Sequence, residues 1–192
     1  MVYASPFIVV VTGRPGSGKT TLAHRLAYQM HCPALCRDEF KEGFVHTMGG
    51  SHDSLGKNIN GRLNEIFFTS VHYISSRNIS LVIEAAFQHK VWEQNLRMLI
   101  DKANVVIIVC SVDPYLARSR FVERDLADPT RERFHGGGED YLPKNESDLL
   151  HKPIKQYNPP KLNVPTLNVD TTDGYEPTLD DIVSYIMKSC IK

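Results

Sequence analysis

An apolar run followed at once by a glycine-rich loop constrains the fold of this chain most. The run spans residues 7–11, and residues 13–20 read G-R-P-G-S-G-K-T, which matches the pattern G-x-x-x-x-G-K-[ST]. In that pattern the glycines let several backbone N–H groups converge on one phosphate, the lysine binds the β- and γ-phosphates, and the final hydroxyl can ligate Mg²⁺. Apolar residues then recur at helical spacing, and the N-terminus of a helix also favours anions.

The loop predicts a binding site for a nucleoside triphosphate, and a glycine-rich turn without a ligand is the alternative. Lys19 is the predicted catalytic cation, and as an exposed loop residue it is expected to contribute little to the core. The Thr20 hydroxyl is a predicted magnesium ligand. The predicted nucleotide-binding residues of the loop are Gly13, Pro15, Gly16, Ser17, Gly18, Lys19, Thr20 and Thr21.

The balance of charges limits the partners that this chain can have. It contains 22 Lys and Arg residues and 22 Asp and Glu residues, so its formal net charge is zero. A broad basic surface for duplex nucleic acid is therefore not expected, although a local basic patch is compatible with this composition. No apolar run approaches the length of a membrane span, so no membrane partner is predicted. The cysteines form no C-x-x-C pair, which favours reduced thiols in a cytoplasmic protein over a metal cluster.

Short apolar segments alternate with amphipathic stretches along the chain. Strands that are apolar on both faces belong in a parallel sheet that is covered by helices. We therefore predict a single doubly wound α/β domain over residues 1–192, with a mostly parallel five-stranded sheet and helices on both faces. Asp113 followed by Pro114 predicts the N-cap and first residue of a helix. The predicted strand segments are residues 7–11, 33–35, 81–83, 105–109 and 166–169.

An acidic residue follows the second predicted strand, where residues 36–41 read C-R-D-E-F-K. In a doubly wound sheet the carboxyl ends of neighbouring strands meet in one crevice, so Asp38 would face the γ-phosphate. Phosphoryl transfer to an alcohol needs a carboxylate there to orient the hydroxyl and accept its proton. Alternatively, Asp38 caps the next helix, because aspartate is favoured at helix N-caps. The spacing leaves both interpretations open.

The combination of G-x-P-G-S-G-K-[ST]-T, then R-D-[DE]-[FY], then a strand ending in a carboxylate resembles a group of P-loop kinases. This group contains the phage polynucleotide 5′-kinase domain and the zeta toxins. The resemblance implies that Asp38 is the general base, and that Lys41 helps to hold the transferred phosphate or the substrate. The polynucleotide kinase has Arg at the latter position, and Lys lacks its planar fork. The resemblance also implies that Glu84 anchors Lys41 or holds Mg²⁺ through water; an ordinary acid at the end of a strand is the alternative.

Basic residues follow the fourth predicted strand. The resemblance implies that the helix after this strand carries an arginine near the adenine and leads to a mobile lid, which we place at residues 128–141. Arg120 and Arg124, on one predicted helical face, are the expected nucleotide contacts. Arg131 precedes three consecutive glycines and is predicted to stabilise the transferring phosphoryl group. The alternative is an exposed, salt-bridged helix followed by a flexible loop.

Other segments are assigned to the substrates by their place in the predicted fold. Residues 44–62 and 87–89 follow strand ends on the crevice side and are predicted to line the pocket for a phosphoryl acceptor. His135 is a candidate substrate contact. Residues 170–172 follow the last strand, where related kinases pass close to the adenine base, and this placement is by analogy.

Three functions fit these residues. The first is ATP-dependent transfer of the γ-phosphoryl group to a hydroxyl of a small molecule such as a sugar, nucleoside, cofactor precursor or antibiotic. The second is a polynucleotide 5′-hydroxyl kinase, which would need a basic channel and stacking aromatics, so the neutral net charge counts against it. The third is a nucleotide-dependent switch or ATPase without an acceptor, and Asp38 counts against it. We favour the first, with ATP, Mg²⁺ and a small-molecule acceptor as its ligands.

Overall fold

Five strands form one parallel sheet in the computed structural model, which describes residues 5–135 and 156–190. Their order across the sheet is β2-β3-β1-β4-β5, and every neighbouring pair is parallel. The predicted five-stranded α/β sheet is therefore confirmed. The strands are β1 (Phe7–Gly13), β2 (Ala34–Cys36), β3 (Leu81–Ala85), β4 (Asn104–Ser111) and β5 (Thr166–Asp170).

Seven α-helices connect and cover the described strands. A short 3₁₀ helix, His52–Leu55, lies between the second and third of them. Within the described ranges no helix has both the length and the apolar character needed to cross a membrane. The helices are α1 (Lys19–Gln29), α2 (Arg37–Met48), α3 (Ile59–Ser76), α4 (His89–Ile100), α5 (Pro114–Ala127), α6 (Arg131–His135) and α7 (Leu179–Cys190).

The sheet has a hydrophobic core on each face, which explains the unbroken apolar run of β1. Val9 and Val11 pack into one core, which also contains residues of α1 and α7. Ile8 and Val10 point to the opposite core, which contains residues of α3 and α4. Because successive side chains of a strand alternate between faces, β1 buries all seven of its residues. Each large apolar side chain in these cores contributes about 1.5–3 kcal/mol by leaving water.

The predicted start of α5 is confirmed. Asp113 is its N-cap, and the carboxylate accepts hydrogen bonds from the backbone N–H groups of Tyr115 and Leu116. Pro114 occupies the first helical position, where the absence of an N–H group costs nothing. This cap fixes where the chain leaves β4 and turns back beside the phosphate-binding loop.

A buried threonine joins the end of β1 to three other parts of the fold. The Thr12 hydroxyl donates to the carbonyl oxygen of Ala85 at 2.8 Å and accepts from the Trp92 indole N–H at 3.0 Å. The Tyr157 hydroxyl also bonds to it. A hydroxyl has one proton and two lone pairs, so these three bonds saturate Thr12. Burial raises the pKa of Tyr157 to about 12, so it stays protonated and can donate. The residue directly before the loop is thereby fixed.

Candidate active site

Close packing explains the glycines of the phosphate-binding loop. Gly16 has a φ of 78°, and a Cβ atom at this position would lie 2.0 Å from the carbonyl oxygen of Ala117 in α5. Gly18 has a φ of 73° and is the N-cap of α1. Both conformations are left-handed and are strained for residues with a side chain. The loop therefore reaches α1 with its backbone exposed to a ligand and its outer side against α5.

A second threonine fixes the loop against the ends of the two strands beside it. The Thr171 hydroxyl lies 2.8 Å from the carbonyl oxygen of Ser17 and 2.9 Å from that of Ser111. The Thr171 N–H donates to the same Ser111 oxygen. The buried Ser17 hydroxyl itself has no hydrogen-bond partner among the described residues. The loop is therefore held against these strand ends by its backbone.

Lys19 and Thr20 both contact one buried carboxylate. The Lys19 Nζ lies 3.6 Å from Glu84 Oε1, and the Thr20 hydroxyl donates to Glu84 Oε2 at 3.1 Å. The Lys19 residue is 7% exposed and Glu84 is 3% exposed. The expectation that Lys19 is an exposed residue is therefore wrong, because its ammonium group lies beside a buried acid. Burial raises the pKa of Glu84, and the charge of Asp38 raises it further.

The contacts of Glu84 separate two roles that the resemblance implied. Its carboxylate contacts Lys19 and Thr20, whereas the Lys41 Nζ donates to the carbonyl oxygen of His135 at 3.5 Å. Glu84 therefore does not anchor Lys41. Thr20 and Glu84 together fit a Mg²⁺ site, since the Thr20 hydroxyl and the Glu84 carboxylate are hard oxygen donors. Adjacent ligands of an octahedral Mg²⁺ lie about 3 Å apart, which matches the separation of these two oxygens.

Asp38 lies in the first turn of α2 and does not cap it. The N-cap is Cys36, and no side chain makes a capping hydrogen bond there, so the capping interpretation of Asp38 is wrong. The carboxylate accepts from Arg37 Nη1 at 3.2 Å, and 56% of the side chain is exposed. Desolvation acts to raise the pKa of Asp38, but the charges of Arg37 and Lys19 outweigh it and lower the pKa below its ordinary value. The carboxylate is therefore ionised and accessible near neutral pH.

Arg37, for which no role was predicted, holds Asp38 in place. Its Nε donates to Asn64 Oδ1 at 3.2 Å, and its Nη2 donates to Asn60 Oδ1 at 2.8 Å. These asparagines are one turn apart on α3, so both accept hydrogen bonds from the guanidinium on one helical face. The remaining nitrogen faces Asp38. The R-D pair was a sequence signal for Arg37, but no feature of the sequence pointed to the two asparagines.

Lys41 lies one turn after Asp38 on α2 and is 4% exposed. Its ammonium group has one weak bond, to a backbone carbonyl, among the described contacts. Burial, together with the charge of Arg37, lowers the pKa of Lys41 to about 8, although the nearby acids Asp38, Glu42 and Asp53 act in the opposite direction. The charges of Asp38, Glu42 and Asp53 partly compensate this buried ammonium group, and an anionic ligand beside it would stabilise it further.

A network of charged side chains joins α6 to α2. Arg131 Nε donates to Asp125 Oδ1 at 2.8 Å, and its guanidinium also approaches Glu42 at 3.9 Å and His135 at 3.3 Å. His135 Nε2 lies 2.8 Å from Glu42 Oε1. The first part of the expected lid, residues 128–135, is thus docked beside Lys41, with Arg131 paired to acids of the protein. Residues 136–141 of that lid lie outside the described residues.

Arg120 and Arg124 have different neighbours, although both were predicted to contact the nucleotide. Arg120 donates to the carbonyl oxygens of Thr171 at 2.9 Å and Thr172 at 2.6 Å, in the segment predicted to lie near adenine. Arg124 instead lies over the Phe121 ring, with its guanidinium carbon 5.3 Å from the ring centroid. Its Nε is 3.9 Å from Asp125. The structure therefore places Arg120 on the predicted adenine side.

Gln88 and His89, which were predicted to line the acceptor pocket, hold the returning chain instead. Asn158 N–H donates to Gln88 Oε1 at 2.8 Å, and Lys161 N–H donates to His89 Nδ1 at 3.1 Å. The His89 N–H donates in turn to the carbonyl oxygen of Asn158 at 2.8 Å. These bonds position residues 156–161 and with them the Tyr157 ring beside Thr12.

The chemistry available at the strand ends follows from this geometry. Lys19 follows β1, Glu84 lies in β3 and Asp38 follows β2. These three strands are neighbours in the sheet, so their carboxyl ends bring the three side chains to one crevice. The arrangement offers convergent N–H groups and a cation for an anion, two hard oxygens for Mg²⁺, and an ionised carboxylate for a proton.

Comparison with known families identifies a match over most of this chain. A family model named AAA_33 and described as an AAA domain matches residues 8–136. The matched region includes the loop, Asp38, Glu84 and the helices α5 and α6. No curated protein matches the sequence significantly.

Solved structures share the fold at low sequence identity. A candidate kinase from Chloroflexus aurantiacus is 24% identical, with 96% of this chain and 98% of that chain covered and a TM-score of 0.72. A gluconokinase from Sinorhizobium meliloti is 14% identical, with 99% and 93% covered and a TM-score of 0.55. A chain of the Pnkp1/Rnl/Hen1 RNA repair complex is 18% identical, with 66% and 40% covered and a TM-score of 0.56. The likeness shows that these proteins share a fold with this chain.

Proposed function

This chain belongs to the AAA_33 family of AAA domains, and we propose that it transfers the γ-phosphoryl group of ATP to a hydroxyl group of a small molecule. The observation that carries the proposal is the ionised carboxylate of Asp38 in the same crevice as Lys19 and Glu84. A carboxylate held here can orient an acceptor hydroxyl or, in a hydrolase, the attacking water, and the labelling experiment below separates the two. Arg37 holds Asp38 by a guanidinium that is itself fixed by two asparagines.

The nucleotide phosphates would lie against the loop N–H groups and the N-terminus of α1. Lys19 would exchange its contact with Glu84 for contacts with the β- and γ-phosphates. Thr20 and Glu84 would hold Mg²⁺, which neutralises charge on the phosphate oxygens. Arg120 and residues 171–172 border the adenine side. Support for this orientation comes from the hydrogen bonds of Arg120 to that segment.

In the transfer step, the acceptor hydroxyl oxygen forms a bond to the γ-phosphorus while the bond from phosphorus to the β–γ bridging oxygen breaks. The hydroxyl proton passes to the Asp38 carboxylate, and the bridging oxygen leaves with its electron pair on ADP. Lys41, one turn along α2, is placed to stabilise charge on the transferring group. Arg131 would do the same after leaving its pairs with Asp125 and Glu42.

A small molecule is favoured over a polynucleotide as acceptor because the basic groups around Asp38 are already engaged. Arg37, the arginine next to Asp38, is bound to two asparagines and to Asp38 itself. A polynucleotide would need several free cations in a row to neutralise its phosphates. The chain as a whole has no excess of positive charge to supply them.

The proposed function is tested by following the γ-phosphoryl group of labelled ATP. The full chain is incubated with ATP, Mg²⁺ and separate panels of sugars, nucleosides, cofactor precursors and antibiotics, and with a 5′-hydroxyl oligonucleotide. We expect one small-molecule class to take up the label in proportion to ADP formed. Release of inorganic phosphate with every acceptor unlabelled would instead support the switch or ATPase. Labelling of the oligonucleotide, with binding that weakens steeply between about 50 and 200 mM salt, would support the polynucleotide kinase.

The kcat/KM for ATP, which reports the nucleotide-free protein, is expected to fall as pH rises through about 8, because the pKa of Lys41 lies there and only its protonated form can stabilise the transferred group. Lys41→Arg keeps its charge across this range, so its profile should lose the alkaline decline even if its rate is lower. Rates are measured from neutral to alkaline pH at limiting ATP and saturating acceptor. Identical alkaline declines in the two proteins would show that Lys41 is not the titrating group.

A further inference from the structure

Three side chains with metal-binding atoms meet beside the proposed active site, at the junction of α1, β2 and α2. His24 projects from α1, Cys36 ends β2 and Glu39 lies in the first turn of α2. His24 Nε2 lies 2.6 Å from Glu39 Oε1 and 3.7 Å from Cys36 Sγ. All three ligand atoms lie within 4.8 Å of one another. The cysteine spacing did not predict this cluster because its members come from three separate elements.

The separation of the sulfur and nitrogen atoms suits tetrahedral zinc. Bonds of about 2.3 Å from Zn²⁺ to sulfur and 2.0–2.1 Å to nitrogen place these two ligands roughly 3.6 Å apart in a tetrahedron. Cys36 and His24 are 3.7 Å apart without any rearrangement. The nitrogen and oxygen ligands of such a site are separated by about 3.3 Å. Glu39 would have to retreat slightly from its hydrogen bond with His24, and its side chain is 48% exposed and can do so.

The charges around the thiol also favour a cation. Burial raises the pKa of Cys36, and the carboxylates of Glu84 and Glu39 raise it further because they repel a thiolate. The same negative charges attract a divalent ion, which neutralises the thiolate that it binds. Access is open, since the His24 side chain is 50% exposed.

We propose that His24, Cys36 and Glu39 form a binding site for Zn²⁺ or a similar borderline-soft metal ion, separate from the oxygen ligands Thr20 and Glu84. The ion would bond to His24 Nε2, Cys36 Sγ and a Glu39 oxygen, with water in the fourth position. The Cys36 proton is released to solvent on binding. Mg²⁺ does not compete, because imidazole and thiolate are poor ligands for it. The site borders the proposed active site, since Cys36 is paired with Glu84 across β2 and β3.

Titration of the chelator-treated full chain with Co²⁺, followed by displacement with Zn²⁺, tests the site without reference to activity. We expect one equivalent of Co²⁺ to give the visible bands of a tetrahedral site and a thiolate-to-cobalt charge-transfer band. Cys36→Ser should abolish the charge-transfer band. His24→Ala should weaken Zn²⁺ binding by more than about tenfold, since loss of even an outer-shell partner has that effect.

Matched variants keep the result interpretable. Cys190→Ser removes another buried cysteine, in α7, and His46→Ala removes another exposed histidine, in α2; both should leave the bands unchanged. Should Cys36→Ser fail to fold, Glu39→Gln alters an exposed ligand and should weaken Zn²⁺ binding. Absence of tetrahedral bands in the unmodified chain would overturn the proposal. So would a charge-transfer band that survives Cys36→Ser in a folded protein. Neither outcome bears on phosphoryl transfer, which depends on other residues.

Discussion

Asp38→Asn is expected to lower the rate of phosphoryl transfer on the order of a hundredfold or more while leaving the affinity for Mg·ATP nearly unchanged. The amide cannot accept the acceptor proton, but it keeps the size of the side chain and can still accept a hydrogen bond from Arg37. The side chain is exposed and lies outside both hydrophobic cores, so the free energy of unfolding should change little. Single-turnover labelling of the acceptor measures the transfer step, and calorimetric titration measures binding.

Asp180→Asn is the matched control for this variant. Asp180 is also an exposed acid in the first turn of a helix, but that helix is α7, and it should retain the full transfer rate. A normal rate in Asp38→Asn would remove Asp38 from the reaction and with it the main support for an acceptor. Loss of ATP binding together with transfer would place Asp38 in the nucleotide site instead.

Lys19→Ala should abolish most of the affinity for Mg·ATP and also destabilise the protein. The first effect follows from loss of the cation at the phosphates. The second follows from the buried Glu84, whose partner is removed. Breaking a buried ion pair in this way costs about 3–5 kcal/mol when the remaining charge has no other compensation. Since burial already raises the pKa of Glu84, protonation will relieve part of this cost, and the destabilisation should grow as pH rises.

A double variant separates the two effects of Lys19. Adding Glu84→Gln to Lys19→Ala removes the uncompensated charge, so stability should recover while ATP affinity stays lost. Thermal unfolding at several pH values and calorimetric titration with Mg·ATP give the two readouts. If Lys19→Ala bound Mg·ATP normally, the loop would not be the nucleotide site. If the single and double variants unfolded at the same temperature at every pH, the Lys19–Glu84 pair would not contribute to stability.

The fold could be predicted from the sequence because the signals for it are local. The apolar run of β1 and the Asp113-Pro114 capping signal each consist of consecutive residues, and both predictions are found in the structure. The glycine pattern of the loop is also local, and Gly16 and Gly18 adopt the left-handed conformations that such a loop requires. Sequence periodicity gave the strands to within one or two residues at their ends.

The pairings in the candidate site could not be predicted because they join residues that are distant in the chain. Nothing in the neighbourhood of Lys19 shows that its partner is Glu84, so its burial was missed. In the sequence, Asn60 and Asn64 are simply polar residues of a helix. Their bonds to Arg37 become visible only when α3 packs beside α2. Arg124 satisfies the same helical spacing as Arg120, yet the aromatic ring of Phe121 gives it a different neighbour. The spacing of residues in the sequence shows which of them share a helical face, but it does not show which side chains that face contacts.

The hydrogen bond between Trp92 and Thr12 gives the protein an internal optical label. Trp92 is the single tryptophan of the chain, and it is fully buried. Its indole donates to the residue directly before the phosphate-binding loop. Fluorescence excited selectively at tryptophan therefore originates from one known position. Its emission reports the environment of the first residue before the loop, and its shift on unfolding reports the core beneath α3 and α4.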